Sequence, residues 1–315
     1  MFGLYFSMFL TILLLFSFLF AVVAAVGTYF GASIYFIIGM AVFFIFLQWL
    51  IGPSIIRATT NMRELKPDEL PWLHKKVKEL SKKYRIPMPK ILIARIAAPN
   101  AFVFGHLPSN ANLVVTQGLL NTLNQEEVEA VIGHEMGHIK HKDMVVMVAA
   151  AVIPMILYFI ALNLMWGGFR EERRGVGLAA LIGFLSFIGY FIANLLVSFL
   201  SRLREYYADR FGAIAVNPRV LATALAKITY GLALMPPSEK INPTAKYFFI
   251  ADPTSAAGEI THEEKFYRDY LSQGEIREAI AWEKRNRAMH LFEFFRTHPL
   301  TYKRIEKLLE LEKKR

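Results

Sequence analysis

The first 56 residues contain no Asp, Glu, Lys, Arg or His, and this constrains the fold more than any other feature of the chain. Two apolar stretches lie there, at 4–26 and 33–51, joined by a short turn at 27–32. Two more follow at 144–166 and 176–200, the first of them with Pro154 inside. A helix needs about 20 apolar residues to cross a bilayer core, so each stretch is long enough to span. The first lacks a positively charged flank and is followed almost at once by the second, so a retained helical hairpin is expected rather than a cleaved leader. The composition agrees: 55% of the residues are hydrophobic and the mean hydropathy is +0.35, against about 45–50% apolar residues in soluble domains.

Lysine and arginine set the expected orientation. Residues 53–143 carry 13 of them and residues 201–315 carry 20, while the turn between the first two stretches has none. Both polar regions and the N-terminus are therefore expected in the cytoplasm. The net charge of +10 is assigned to these loops, since no basic stripe interleaved with aromatic residues points to a nucleic-acid partner. There is no cysteine, so disulfides are excluded and any metal must be held by His and carboxylates. Four segments result: an N-terminal transmembrane hairpin (1–56), a first cytoplasmic catalytic part (57–143), a second transmembrane hairpin (144–201) and a second cytoplasmic catalytic part (202–315).

The first polar region predicts a helix over 67–84, stopped by Pro87 and Pro89. Three strand-like runs follow, at 90–95, 101–105 and 112–116. Asn124 then reads as the N-cap of a helix reaching 142, with Glu126 and Glu127 in its first turn. On that helix His134 and His138 lie one turn apart, so both rings project from one face. Glu135 lies between them. This is the His-Glu-x-x-His arrangement, in which two imidazoles hold zinc and the glutamate acts as general base. Gly133 and Gly137 weaken a helix by up to about 1 kcal/mol each, which makes sense where something approaches it closely.

A third ligand is needed. His141 sits about 10 Å along the axis from His134, too spread to close one tetrahedron, and reads as a solvated or interfacial histidine. Glu205 is the better candidate. It emerges from the fourth apolar stretch at the membrane face where the His helix enters the third. Asp209, one turn on, is placed to hold a ligand histidine from behind. The alternative is that both acids pair with nearby Arg202, Arg204 or Arg210.

The segments GHEMGHIKHKD (133–143), REYYADRFG (204–212), PNAFVFG (99–105) and THPLTYKRIEKL (297–308) resemble those of the HtpX-type membrane metallopeptidases. These are relatives of the CAAX prenyl proteases and of the mitochondrial inner-membrane quality-control peptidase, and the likeness covers essentially the whole chain. It implies a membrane protein, mainly α with a small β-sheet, with four transmembrane helices and a gluzincin-like catalytic domain. It implies one Zn2+ per chain on His134, His138 and Glu205, with Glu135 catalytic and Asp209 in support. Asn100, Ala101 and Phe102 resemble an edge strand that pairs with extended substrate. His298 matches a His-Pro near the active site and is expected either to stabilise the oxyanion or to take part in starting the last helix, with Thr297 as N-cap. Arg304 is expected to pair with an acid near the site. The implied function is cleavage of misfolded or damaged membrane proteins at the cytoplasmic face, as quality control in the stress response. Prenylated-protein processing and a catalytically silent scaffold are the alternatives. Expected partners are membrane-protein or unfolded polypeptide substrates and lipid, not nucleic acid; no oligomeric state is assigned.

Overall fold

The computed structural model describes residues 60–167, 176–233 and 283–314, with single positions 39, 43, 46, 47, 49–54, 56, 57 and 281 besides. The first apolar stretch and most of the second lie outside the described residues. The chain forms two compact units, residues 1–52 with 145–201, and residues 53–144 with 202–315.

The polar unit holds a four-stranded sheet. Its strands are β1 (Met62–Glu64), β2 (Lys90–Ala94), β3 (Ala101–Phe104) and β4 (Asn112–Thr116), in the order β1-β2-β4-β3. β2 and β4 are parallel, and the other pairs are antiparallel. β4 is buried along its whole length, as an interior strand covered on both faces must be. Among the described residues β3 is terminal in the sheet. The short β1 has too little apolar alternation for a sequence reading to find it.

Helices α1 (Pro71–Tyr84), α2 (Gln117–Thr122), α3 (Gln125–Lys140), α6 (Pro218–Ala233) and α8 (Thr301–Lys313) surround the sheet, with α4 (Asp143–Gly167), α5 (Val176–Ala215) and α7 (Arg287–Phe292) between them in the chain. One apolar core joins Leu73, Val77 and Leu80 of α1, Leu113 and Val115 of β4, Ile132, Met136 and Ile139 of α3, Leu225 of α6 and Leu308 of α8. The first helix starts four residues later than expected. Leu70 precedes Pro71 and is pushed out of the helical region, to φ −137° and ψ 74°, because the proline ring crowds it.

In the apolar unit α4 and the first part of α5 meet through Tyr158 and Tyr190, whose ring centroids are 5.2 Å apart. The Ser186 hydroxyl and the Asn194 amide donate to carbonyls one turn back, Ile182 and Tyr190, so their polar groups stay satisfied in apolar surroundings. Among the described residues one helix, Ala180–Ala215, is long and apolar enough to cross a membrane. Gln125–Lys140 and Asp143–Tyr158 pass the same test only as a bent pair. Among the described residues the architecture is thus mainly helical with a small mixed sheet and one clear apolar span; the first of the four expected spans and most of the second fall outside them.

Candidate metal centre

α3 is set by its N-terminus. Asn124 Oδ1 accepts from Glu127 N–H at 2.9 Å, and Glu127 Oε2 accepts from Asn124 N–H at 2.9 Å. Such a reciprocal capping box adds about 1 kcal/mol. Lys227 of α6 also pairs with Glu127, at 2.7 Å. The other end is held by Lys140, which donates to the Tyr84 carbonyl. Between these anchors α3 is almost wholly buried, so His134, Glu135 and His138 have little freedom.

α5 crosses α3 at very short range. A Cβ on Gly137 would lie 3.1 Å from Ala208 Cα, and one on Gly212 would lie 2.8 Å from the His134 backbone nitrogen. A Cβ on Gly133 would likewise lie 3.3 Å from Gly212 Cα, and these close approaches account for two poor helix formers in α3. The crossing brings Glu205 and Asp209 onto the histidines.

His134 Nε2 and His138 Nε2 converge at 3.1 Å. Glu205 Oε2 lies 3.6 Å from the first and Oε1 3.5 Å from the second. Each opposite ring nitrogen faces a carboxylate: His134 Nδ1 lies 2.9 Å from Asp209 and His138 Nδ1 lies 2.6 Å from Asp143. A carboxylate at Nδ1 holds the proton there and leaves the Nε2 lone pair directed inward. Two inward lone pairs at 3.1 Å repel unless a cation lies between them. Two imidazoles and a carboxylate so arranged can hold a metal ion, and the buried group His134, Glu135 and His138 also meets the spacing for one.

The electrostatics agree. Burial disfavours charge on every group here. It pushes Glu135 up to about 8, and it lowers His134 despite Asp209 beside it. On His138 burial is outweighed by Asp143 and Glu205, and its pKa rises. Burial is outweighed at Glu205 too, where His298 and Arg304 hold the carboxyl well below its usual range, and Arg304 does the same for Asp209. The cluster thus draws positive charge to the point between the imidazoles. Arg304 binds Asp209 through two nitrogens at 2.7 and 2.8 Å and reaches Glu205 Oε2 at 3.2 Å. Bidentate geometry of this kind is what a buried ion pair needs to offset its desolvation.

Of the residues singled out in the sequence, His134, Glu135, His138, Glu205, Asp209, His298 and Arg304 come together. His298 Nδ1 lies 3.4 Å from Glu205 Oε2, and both its ring nitrogens are buried without a hydrogen-bond partner among the described residues. Thr297 is not the cap of the last helix. That helix begins at Thr301, and the Glu283 carboxylate accepts its first two N–H groups, Thr301 and Tyr302, at 3.0 and 2.8 Å. Asn100 is buried ahead of β3, and Ala101 and Phe102 lie in β3, which packs along α3. Arg202, Arg204 and Arg210 are not the partners of Glu205 and Asp209. Arg204 lies 3.0 Å from Asp143 instead. His141 is set apart from the ligands as expected, but it is buried against Tyr207 and Phe211 rather than solvated.

Asp143 was not found from the sequence. It follows Lys142, whose left-handed backbone (φ 59°) ends α3 and turns the next carboxylate back on His138. Helical periodicity carries no signal across such a break. An acid opening an apolar helix was the available hint.

A buried His-Glu-x-x-His helix crossed by a helix bearing a third acid defines a metal-dependent hydrolase, a metalloprotease. The chain belongs to peptidase family M48, which it matches over residues 67–312. It is 42% identical over 231 residues to the protease HtpX homolog of Methanothermobacter thermautotrophicus, covering 72% of this chain and 86% of that one. It is 33% identical to the Pyrococcus furiosus homolog, with 95% and 94% covered, and 32% identical to that of Aquifex aeolicus, with 92% and 88% covered. Among solved structures it is similar to S. mikatae Ste24p, with a TM-score of 0.49 and 19% identity. That match covers 82% of this chain and 66%, just under two thirds, of the other.

Proposed function

We propose that the chain is a multi-pass membrane zinc endopeptidase that cuts misfolded or damaged membrane proteins at the cytoplasmic face, with His134, His138 and Glu205 as zinc ligands. The observation that carries this is the convergence of two Nε2 atoms and a carboxylate within 3.6 Å. Tetrahedral zinc with imidazoles at about 2.0–2.1 Å separates two ligand nitrogens by about 3.3 Å, close to the 3.1 Å found. Zinc, when bound, acidifies a water toward pKa ~7 and polarises a carbonyl.

The chain's own residues do the rest. Glu135 accepts a proton from the attacking water and returns it to the leaving amine. A carboxyl poised near 8 is suited to such exchange, and a bound cation would draw it lower. Asp209 and Asp143 keep the imidazole protons on Nδ1. His298 faces Glu205 with Nδ1, and its buried Nε2, with no hydrogen-bond partner among the described residues, donates its N–H to the carbonyl oxygen as that oxygen gains charge.

Substrate is held extended along β3. Thr116 N–H donates to the Asn100 carbonyl, so with the antiparallel register Phe102↔Val114 the bonds alternate and the Ala101 and Val103 main-chain groups point to the outer edge. A peptide added there makes β-type bonds beside α3. The four apolar stretches and the Lys/Arg bias support a cytoplasmic site fed from the membrane.

Glu135→Gln tests the reading. It should retain a full zinc complement by elemental analysis and lose cleavage of casein and of an unfolded membrane substrate, as the wild type should with chelator. Cleavage at the wild-type rate by the variant would remove Glu135 from the mechanism.

A further inference from the structure

Among its described residues the polar unit exposes phenyl rings at one place. Phe292, Phe294 and Phe295 are 62%, 64% and 53% exposed, and every other described Phe of residues 53–144 and 202–315 is buried. One exposed apolar side chain is ordinary, but three rings within four residues are not. They end α7 and form the tight turn Glu293–Phe295, which Arg296 closes by donating its N–H to the Glu293 carbonyl.

A buried guanidinium fixes where this turn sits. Arg202 Nη1 donates to the carbonyls of Phe294 at 3.1 Å and Arg296 at 2.6 Å. Arg202 is the second residue past the charge-free stretch 176–200, on the same continuous helix. At 1.5 Å per residue it stands about 3 Å beyond the last apolar position. The aromatic turn is therefore tethered to α5 two residues past its charge-free stretch. The turn's one acid, Glu293, is paired with Lys303, and its sequence neighbours Arg285, Arg287 and Arg296 are basic. Exposed rings, a neutralised acid and basic flanks are complementary to the headgroup layer of a bilayer.

We propose that Phe292, Phe294 and Phe295 insert into the headgroup–acyl boundary of the membrane that α5 crosses, as a second anchor of the peptidase unit. The proposal rests on reading 176–200 as a span. Because His298 lies two residues after Arg296, the anchor holds the His298 segment against the bilayer surface from which a membrane substrate arrives. An unfolded polypeptide is the other apolar partner for such rings, and the tether to the end of the span favours lipid over it.

The chain has no cysteine, so Phe294→Cys offers a single site for an environment-sensitive fluorophore. Full-length protein would be reconstituted into phosphatidylcholine–phosphatidylglycerol vesicles. The label at 294 should shift its emission to the blue, lose most of it to lipids carrying a headgroup-level quencher, and resist aqueous iodide. A label from Asp68→Cys, exposed in the same unit, should behave oppositely. A label at 294 that iodide quenches and the lipid quencher does not overturns the proposal. So does one shielded only when unfolded casein is added in the Glu135→Gln background, which would assign the rings to substrate. Alkaline carbonate extraction separates the two layers of inference. Protein released from the vesicles overturns the span and the anchor together, whereas protein retained with an aqueous label overturns the anchor alone.

Discussion

Each histidine of the centre is backed by its own carboxylate, and the two carboxylates are held differently. Asp209 is clamped by two nitrogens of Arg304, while Asp143 meets Arg204 Nε alone at 3.0 Å. Asp143→Asn preserves shape but offers His138 an amide that can donate as well as accept, so the ring's tautomer is no longer dictated. Loss of such a partner costs 10- to 100-fold in metal affinity in comparable sites. We expect a fall of about that size in zinc affinity, read by competition with a calibrated chelator, with circular dichroism unchanged. Wild-type affinity in the variant would show that Asp143 only neutralises Arg204. The convergence of His134, Glu135 and His138 was legible in sequence because neighbours on one helical turn share a face, and that of Asp209 because it lies one turn from Glu205. Asp143 was not, because a left-handed residue stands between it and its partner. Arg304 was legible only as a residue with some acid nearby, since Asp209 is 95 positions away and no local pattern spans that distance.

At the scale of elements, the site depends on how closely α3 and α5 cross, and that is written in small residues. Gly212 faces backbone, which cannot swing aside, at 2.8 Å from His134 N. Gly212→Ala must therefore push the helices apart, although alanine is the better helix former by about 1 kcal/mol. Overpacking of this kind costs typically 1–3 kcal/mol, and Glu205 moves with its helix. The expected outcome is a destabilised protein with reduced zinc content, though no proposed ligand has changed. Gly177→Ala, with nothing within 4 Å of the new methyl, should be neutral or slightly stabilising. Thermal unfolding with elemental analysis of both variants decides this, and equal zinc in the two would mean that the crossing tolerates the added methyl. The strands β2, β3 and β4 and the cap of α3 could be read locally because alternation and capping are local. The start of α8 could not. Its cap is the Glu283 carboxylate, 18 residues before Thr301, and its own flank has no side chain doing that work.

For the whole molecule, the proposed ligands divide between two distant lengths of chain. His134 and His138 lie before the apolar excursion 145–201 and Glu205 after it, and both lengths belong to the one polar unit. In the unfolded chain these groups are far apart, so a metal that joins them favours only the folded arrangement. Its binding energy then becomes folding energy. Zinc at 1,000 times its dissociation constant should stabilise the unit by about 4 kcal/mol. Removing Glu205 takes away the ligand that bridges the two lengths and leaves a two-histidine site on α3 alone. Glu205→Ala should thus lose zinc by elemental analysis and lose most of the zinc-dependent rise in unfolding temperature, measured on full-length protein in detergent against a zinc–chelator buffer. The variant also leaves Arg304 with Asp209 as its remaining acid at the centre, so its zinc-free stability should change much less than its response to zinc. An undiminished response would place the third ligand on another residue and would detach the metal from the closure of the two chain lengths.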